Sequence, residues 1–379
     1  MIMGPVLFPL CVSFSISFFM IPVIIKLTHK RQLLDFPGIR KIHQIPTPSM
    51  GGIALFASLL ITLLLWVDFN NSPQIPGFLT AFTIIFFVGL KDDILFFSPA
   101  KKFAGQLLAV LLLAYQGYYQ LNSFDGFLGI GMLSPAISFL FTTITMLVII
   151  NAFNLIDGVD GLAATLGISI TLFLGVQFLF QGDKTHALIA FVSAASLLAF
   201  LIYNWSPAKI FLGDTGSLSI GLINAVLVIH FISTQSAISQ DTDFSTAPAV
   251  GIALLIIPMA DMLRLVITRL LHGSSPFEPD MQHFHHLLLG KGLTHKQVTL
   301  FILTLNTLFV VYAFSFQHFG NTILIISMFV IALIVLLVVN SISFKSKSTF
   351  TQYSTEKEEI QTFTRIVSSD SFEELNTLN

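Results

Sequence analysis

The chain has 379 residues, of which 54% are hydrophobic and 10% are charged, and its mean hydropathy is +0.86. Soluble domains carry about 25% charged residues, so this composition excludes a soluble globular enzyme. The 18 Lys and Arg are offset by 20 Asp and Glu, which leaves no basic excess for binding nucleic acid. The one cysteine, Cys11, excludes an intrachain disulfide framework. The composition therefore predicts an all-α polytopic membrane protein that sits in a lipid bilayer.

A helix that spans a bilayer needs about 20 predominantly apolar residues, because its backbone polar groups must be satisfied within the segment. Eleven segments meet this requirement: 4–25, 51–67, 77–90, 103–121, 136–153, 162–181, 186–204, 217–235, 247–270, 297–316 and 321–342. With these segments, 17 of the 18 Lys and Arg fall on one side of the membrane, and only Lys184 falls on the other. The positive-inside rule then predicts an N-terminus outside and a C-terminus in the cytoplasm. Residues 1–342 form the predicted membrane domain, and the polar residues 343–379 form a predicted cytoplasmic tail.

An acidic pair, Asp92 and Asp93, follows the third apolar segment. Adjacent carboxylates repel each other unless a cation lies nearby, and hard cations such as Mg²⁺ and Mn²⁺ prefer carboxylate oxygens. Lys101, Lys102 and Gln106 follow closely and are candidates for holding a phosphate. The pair therefore indicates a metal site, with a solvated helix end as the alternative interpretation.

Four polar side chains recur at every third position near the end of the fifth segment: Asn151, Asn154, Asp157 and Asp160. Residues three apart are neighbours on a helix, so this spacing predicts one polar stripe. Polar side chains at the end of an apolar helix are unfavourable when they have no partner, so this stripe favours a bound ligand or metal. A structural polar seam between helices is the alternative.

A glycine-rich turn, Gly213-Asp214-Thr215-Gly216-Ser217, leads into the eighth segment. Backbone amides at a helix N-terminus bind anions, and an acid in the same turn suits a metal that bridges the anion. The alternative is a plain N-cap formed by one of the side chains of this turn, Asp214, Thr215 or Ser217.

A histidine cluster, His283, His285 and His286, precedes the tenth segment. It has no cysteine partner and no His-Glu-x-x-His pattern, which disfavours a zinc hydrolase. We expect these side chains to donate hydrogen bonds to a phosphate, a sugar or a base, with a surface cluster as the alternative. In the ninth segment, the spacing of Asp261 and Arg264 predicts an ion pair on one helix face.

All of these groups are predicted to lie at the cytoplasmic face, where they fit metal-assisted handling of a phosphorylated substrate. A membrane-embedded enzyme of this kind indicates a lipid substrate, and a lipid phosphate is already a nucleophile at neutral pH. The second substrate is then a soluble diphosphate donor. A cation- or proton-coupled transporter is an alternative, but transporter acids lie near the bilayer midplane. A non-enzymatic envelope scaffold is a further alternative.

The sequence resembles the polyprenyl-phosphate N-acetylhexosamine-1-phosphate transferases over residues 1–340. The resemblance rests on five pieces in this order: Arg40-Lys41-Ile42-His43 with Gly51-Gly52, Asp92-Asp93 with Lys102 and Gln106, Asn151 through Leu162, Gly213 through Ser217, and His283 with His285-His286. It implies transfer of a sugar-1-phosphate from a UDP-sugar to undecaprenyl phosphate, with release of UMP. It also implies a requirement for Mg²⁺, for which Mn²⁺ is an alternative.

By this resemblance, specific residues receive predicted roles. The predicted catalytic residues are Asp92, Asp93 and Asp214, and the predicted metal ligands are Asp92, Asp157 and Asp214. The predicted substrate-binding residues are Lys102, Asn151, Asn154, Asp157, Asp160, His283, His285 and His286. One acid of the pair deprotonates or orients the nucleophile, and we expect direct attack by the lipid phosphate rather than a covalent aspartyl intermediate. The loop from Ile94 to Phe97 lacks the third acid or Asn of some relatives.

Two details point to a branch of this family. The His-x-His-His pattern and the Asn151-x-x-Asn154 start resemble the branch that initiates envelope polysaccharides. They differ from the branch that uses UDP-MurNAc-pentapeptide, whose loop has three consecutive histidines. The expected reaction is therefore transfer of GlcNAc-1-phosphate at the cytoplasmic face of the inner membrane. The identity of the amino sugar and the oligomeric state stay open.

Overall fold

The computed structural model describes residues 4–35, 46–95, 97–238, 246–271, 273 and 283–341. Within this part of the chain, the helices are α1 (Gly4–Arg31), α2 (Gly52–Trp66), α3 (Ile75–Leu95), α4 (Pro99–Gln116), α5 (Pro135–Ile156), α6 (Leu162–Gln181), α7 (Lys184–Asn204), α8 (Gly213–Ile238), α9 (Ala247–Leu271), the short α10 (Phe284–Gly290), α11 (His295–Ser315) and α12 (Gly320–Ser341). Each of the eleven predicted apolar segments overlaps one of the long helices. The predicted tail, 343–379, and the basic stretch 40–43 lie outside the described residues.

Eight of the described helices are long and apolar enough to cross a membrane: α1, α5, α6, α7, α8, α9, α11 and α12. The chain is therefore an all-α membrane protein. Helix α2 is apolar but has only 15 residues. Helix α3 carries charged residues at its carboxyl end, and helix α4 carries charged residues at its amino end. Eleven crossings and the orientation of the termini consequently stay predictions.

Helix α8 lies at the centre of the bundle. It is almost entirely buried and packs against α2, α3, α5, α6 and α9. Close packing depends on small residues: a Cβ at Gly221 would lie 2.7 Å from the Cα of Ile150, so glycine lets α5 and α8 approach. The outer helices α1, α11 and α12 instead expose large apolar side chains such as Phe19, Leu308 and Leu337. Exposed apolar faces of this extent suit contact with lipid.

The structure corrects the predicted polar stripe. Helix α5 ends at Ile156, so only Asn151 and Asn154 of the four spaced residues are helical. The chain then turns, and Gly161 has φ +78°, a left-handed conformation that glycine adopts without strain. Asp157 therefore lies at the carboxyl end of α5 and Asp160 lies in the turn that follows it.

Two small antiparallel ribbons were not predicted. Strand β1 (Leu34–Asp35) pairs with β2 (Thr47–Pro48), and β3 (Ser123–Phe127) pairs with β4 (Ile130–Met132). Both ribbons connect helices and leave the fold class unchanged.

The helices alternate in direction, so the carboxyl ends of α3, α5 and α9 meet the amino ends of α4, α8 and α11. We call this end of the bundle the carboxylate end, after Asp93, Asp157 and Asp214.

Candidate active site

The carboxylate of Asp93, in the last turn of α3, lies against the first turn of α8. Its Oδ1 accepts a hydrogen bond from the backbone N–H of Asp214 at 2.8 Å. Its Oδ2 accepts from the backbone N–H of Thr215 at 3.0 Å and from the Thr215 hydroxyl. The first amides of a helix have no partner within the helix, so a carboxylate from α3 satisfies them. Asp93 thus caps α8, which replaces the alternative expectation of a cap from Asp214, Thr215 or Ser217.

Glycine permits this contact at two positions. Gly213 has φ +71°, and a Cβ there would lie 2.7 Å from Asp93 Oδ2 and 2.4 Å from the Ser49 carbonyl oxygen. A Cβ at Gly89, one helical turn before Asp93, would lie 2.5 Å from the Cα of Thr215. Any larger residue at either position would push α3 away from α8. The glycines therefore bring the acidic pair to the amino end of the central helix.

Lys102, in the first turn of α4, lies between two carboxylates. Its Nζ is 3.2 Å from Asp92 Oδ2 and forms an ion pair with Asp214 Oδ2. It also donates to Asn154 Oδ1 at 3.2 Å, while Asp92 Oδ1 accepts from the backbone N–H of Phe97 at 2.6 Å. The Lys102 side chain is 17% exposed, so water screens these ion pairs less than pairs on the surface. The ammonium group balances part of the negative charge of this cluster.

The two predicted asparagines of α5 have different surroundings. Asn154 Nδ2 donates to Asp214 Oδ1 at 2.6 Å and to Ser217 Oγ at 2.9 Å, which ties α5 to the start of α8. Asn151 Nδ2 donates to Gln106 Oε1 at 2.8 Å. Gln106 was a candidate for holding a phosphate, but it is 1% exposed and supports Asn151 instead.

Asp157 differs from the other acids because, within the described part of the chain, its carboxylate has no hydrogen bond and no ion pair. The side chain is enclosed by protein but keeps part of its surface accessible, as expected for a group that lines a cleft. Burial, followed by the negative charges of Asp214, Asp93 and Asp160, raises the pKa of Asp157 well above its ordinary value. A bound cation would relieve this repulsion.

Asp160 is held by residues that the sequence interpretation missed. His295 Nδ1, at the start of α11, lies 3.4 Å from Asp160 Oδ1, and the backbone N–H of Ala208 donates to Oδ2 at 3.2 Å. Burial raises the pKa of Asp160, but the hydrogen bond and charge of His295 lower it together with hydrogen bonds from Ala208 and Ser206, so the pKa lies below its ordinary value. Thr299 donates to the Asp160 carbonyl oxygen at 3.1 Å. The one feature that could have pointed to His295 is its position in the sequence on the predicted cytoplasmic side.

The predicted ion pair of α9 is confirmed and has a further partner. Arg264 Nη2 lies 3.1 Å from Asp261 Oδ1, and His283 Nδ1 lies 3.1 Å from Asp261 Oδ2. Asp261 Oδ1 also accepts from the backbone N–H of Phe284 at 3.0 Å. Asp261 therefore fixes the start of α10, and His283 acts here as an anchor of the histidine cluster.

His285 is buried and projects toward the Asp157 turn. It is 1% exposed, and a Cβ at Gly158 would lie 2.3 Å from its Nε2. Within the described part of the chain, both ring nitrogens are buried without a hydrogen-bond partner. Burial, followed by the neighbouring His286 and His283, lowers the pKa of His285 well below its ordinary value, so the ring is neutral. An unpaired neutral imidazole presents one donor and one acceptor to a ligand.

The carboxylate end therefore contains most of the predicted site residues within one network. Asp92, Asp93, Asp214, Lys102 and Asn154 are joined by direct contacts, and Asp157 lies close enough to feel the charges of Asp93 and Asp214. The site combines carboxylates from α3, from α8 and from the residue that follows α5 with a lysine and a helix N-terminus. These are groups that hold a divalent ion and a phosphate.

Several known proteins are similar in sequence to this chain. A model described as glycosyl transferase family 4 matches residues 75–232. The decaprenyl-phosphate N-acetylglucosaminephosphotransferase of Mycobacterium leprae is 33% identical over 76% of this chain and 77% of its own. A probable undecaprenyl-phosphate N-acetylglucosaminyl 1-phosphate transferase of Bacillus subtilis is 31% identical over 76% and 78%. The undecaprenyl-phosphate α-N-acetylglucosaminyl 1-phosphate transferase of Escherichia coli K12 is 30% identical over 73% and 74%.

These matches confirm the resemblance found in the sequence motifs. The family model covers residues 75–232, which include Asp92, Asp93, Asp157 and Asp214. The matches to the relatives extend over about three quarters of both chains. The chain therefore belongs to the family of these polyprenyl-phosphate N-acetylglucosamine phosphotransferases.

Proposed function

We propose that the protein transfers GlcNAc-1-phosphate from UDP-GlcNAc to undecaprenyl phosphate and releases UMP. This reaction would start the assembly of a lipid-linked envelope polysaccharide. The observation that carries the proposal is the convergence of Asp92, Asp93, Asp157 and Asp214 with Lys102 at one end of an apolar bundle. The names of the relatives support both the lipid phosphate acceptor and the GlcNAc-phosphate group.

Mg²⁺ is the proposed cofactor, with Mn²⁺ as a substitute. The donor set of Asp92, Asp157 and Asp214 offers only carboxylate oxygens, which these hard cations prefer. The fit rests on Asp157, because its unpaired carboxylate lies in the field of other acids. When bound, the ion neutralises negative charge on the diphosphate and on the departing UMP.

The lipid phosphate is proposed to attack the phosphorus that bears the sugar, and the bond to the UMP oxygen breaks. Its oxygen is already anionic at neutral pH, so no covalent aspartyl intermediate is needed. Lys102 would offer a cation to the incoming phosphate, since it already bridges Asp92 and Asp214. Asp93 is proposed to position Asp214 through the cap of α8 rather than to take a proton, because both of its oxygens accept hydrogen bonds.

The histidine cluster is proposed to bind the donor. His285 has two buried ring nitrogens without partners beside Gly158, which suits a diphosphate oxygen or a sugar hydroxyl. His286 would extend the same surface, and His283 would hold α10 in place through Asp261. Asn151, Asn154 and Asp160 are proposed to shape the nucleotide side of the cleft.

The proposed location is the inner membrane, with eleven crossings and the carboxylate end in the cytoplasm. The distribution of Lys and Arg supports this orientation, since all except Lys184 lie on the predicted cytoplasmic side. A UDP-sugar is a cytoplasmic metabolite, which agrees with this orientation. The helix ends, rather than the bundle centre, carry the acids, and this favours an enzyme over a transporter.

A panel of donors tests the proposal. The full chain, purified in detergent with undecaprenyl phosphate and Mg²⁺, receives UDP-GlcNAc, UDP-GalNAc, UDP-glucose or UDP-MurNAc-pentapeptide in separate reactions. We expect UDP-GlcNAc to give UMP in equal amount to a lipid-linked GlcNAc diphosphate, measured by mass spectrometry. Preference for UDP-MurNAc-pentapeptide would move the protein to the peptidoglycan branch. UMP release without any lipid product would contradict transfer altogether.

A further inference from the structure

A second cluster of ionisable side chains lies at the end of the bundle opposite to the carboxylate end. Asp183 precedes α7, and its Oδ1 accepts from the backbone N–H of His186 at 3.0 Å. Its Oδ2 lies 2.7 Å from His186 Nδ1 and 2.7 Å from His230 Nε2. One carboxylate oxygen is therefore shared by two imidazoles that come from different helices, α7 and α8.

The cluster is remote from the proposed transfer site. His230 follows Asp214 by sixteen positions on α8, which corresponds to roughly 24 Å at 1.5 Å per residue. Asp183 and His186 are likewise at the start of α7, whose far end reaches the turn that holds Asp160. The transfer reaction proposed above makes no use of these three residues.

The surroundings of the cluster are largely closed. The side chains of His186, His230 and Asp183 are 1%, 13% and 24% exposed. The two imidazole rings stack with centroids 3.4 Å apart, so their nitrogens point to the same oxygen from adjacent planes. The buried Tyr119 hydroxyl lies 3.1 Å from His186 Nε2. A metal-bound histidine usually has such a partner on its second nitrogen, which fixes the orientation of the ring.

We propose that Asp183, His186 and His230 form a binding site for a divalent transition metal, with Zn²⁺ as the preferred ion. The three ligand atoms lie within 4.8 Å of one another. Two imidazole nitrogens and one carboxylate oxygen are ligands of Zn²⁺, whereas Mg²⁺ prefers oxygen alone. In a tetrahedral site with bonds near 2.0 Å, ligand atoms are about 3.3 Å apart, so a small outward shift admits the ion.

The position of the site indicates a structural role. The ligands join the turn between α6 and α7 to the central helix α8, and Tyr119 adds the segment that follows α4. A metal ion here would link three parts of the bundle at the end opposite to the carboxylate end. The partial exposure of Asp183 leaves a route for the ion and space for a water molecule as fourth ligand.

Two substitutions separate metal binding from simple hydrogen bonding. His230→Gln keeps an N–H donor near the position of Nε2, and His186→Asn keeps one near Nδ1, but both remove the imidazole ligand. His318→Gln is the matched control, because His318 lies in the turn between α11 and α12 at the same end and outside the cluster. Each full-length protein is stripped with EDTA, incubated with ZnCl₂, freed of excess metal and measured by mass spectrometry and thermal unfolding.

We expect the wild type and His318→Gln to retain about one zinc per chain, with a melting temperature that zinc raises. His230→Gln and His186→Asn should bind zinc at least roughly tenfold more weakly, while their melting temperatures in EDTA stay near that of the wild type. Absence of bound zinc in the wild type would overturn the proposal. Equal zinc binding by all four proteins would also overturn it, since the ion would then lie elsewhere, for example on the histidines of the carboxylate end.

Discussion

The hydrogen bonds between Asp93 and the start of α8 lead to a sharp mutational prediction at Thr215. This side chain is fully buried, and its hydroxyl donates to Asp93 Oδ2. Thr215→Val keeps the shape and removes that one donor. A hydrogen bond to a charged group contributes about 1.5–3 kcal/mol, and each 1.36 kcal/mol corresponds to tenfold in rate. If the whole of this free energy is lost from the positioning of Asp214 in the transition state, the transfer rate falls by about 10- to 150-fold.

Asp93→Asn should have a larger effect than Thr215→Val. Asparagine keeps one acceptor oxygen but turns an NH₂ group toward backbone N–H donors of α8, and it also removes the negative charge at the helix N-terminus. We expect a loss of about 10³-fold, because two hydrogen bonds and the charge interaction are weakened together. Thr215→Ser is the control, since it retains the hydroxyl and should stay within about twofold of the wild type.

UMP release with UDP-GlcNAc and undecaprenyl phosphate is the assay, normalised to the amount of monodisperse protein. The positioning role requires Thr215→Val to fall between the wild type and Asp93→Asn. If Thr215→Val turned over like the wild type while Asp93→Asn was inactive, Asp93 would act on the substrate directly. A positioning role of Asp93 through the cap of α8 would then be refuted.

Three further predictions concern the groups around this cap. Lys102→Met should lower the transfer rate by about 10²-fold, because it removes the cation between two carboxylates. The control Lys101→Met, at the exposed neighbouring position, should keep the wild-type rate. Equal transfer rates of the two variants would contradict the role of Lys102. Chelation with EDTA should stop UMP release, and Mg²⁺ or Mn²⁺ should restore it; persistence of release in EDTA would exclude the metal. His285→Leu should raise KM for UDP-GlcNAc without lowering the melting temperature, because it removes two unpaired buried nitrogens; an unchanged KM would argue against donor binding.

The helices were predictable because the apolar residues of each segment, which are consecutive in the sequence, determine them. Each of the eleven apolar segments overlaps a long helix, since a run of apolar residues must satisfy its backbone internally in lipid. The ends were less predictable: α4 stops at Gln116, five residues before the predicted end, because Gly117 adopts φ +78° and breaks the helix. The stripe from Asn151 to Asp160 was wrong in its second half, because α5 ends at Ile156 and Asp157 and Asp160 lie outside the helix.

The arrangement of the site depends on contacts between distant parts of the chain, which spacing does not reveal. The sequence identified Asp93 and Asp214 as important acids, but the cap that joins them links positions 121 residues apart. His295 beside Asp160 is separated by 135 residues and belongs to no motif. Asp183, His186 and His230 were not identified as a cluster, because His230 is 47 residues from Asp183 along the chain and reaches it only through the packing of α8 against the start of α7.

Transfer by Asp214→Asn, compared with the wild type and with Asp68→Asn, tests the role of the carboxylate end. Asp214 lies in the first turn of the central helix and contacts Lys102 and Asn154. Asp68 is exposed, and its carboxylate accepts hydrogen bonds from Asn70 and Asn71 in the turn between α2 and α3. We predict that Asp214→Asn remains folded but releases UMP at least about 10³-fold more slowly, while Asp68→Asn matches the wild type. Wild-type turnover by folded Asp214→Asn would show that the reaction takes place elsewhere in the molecule.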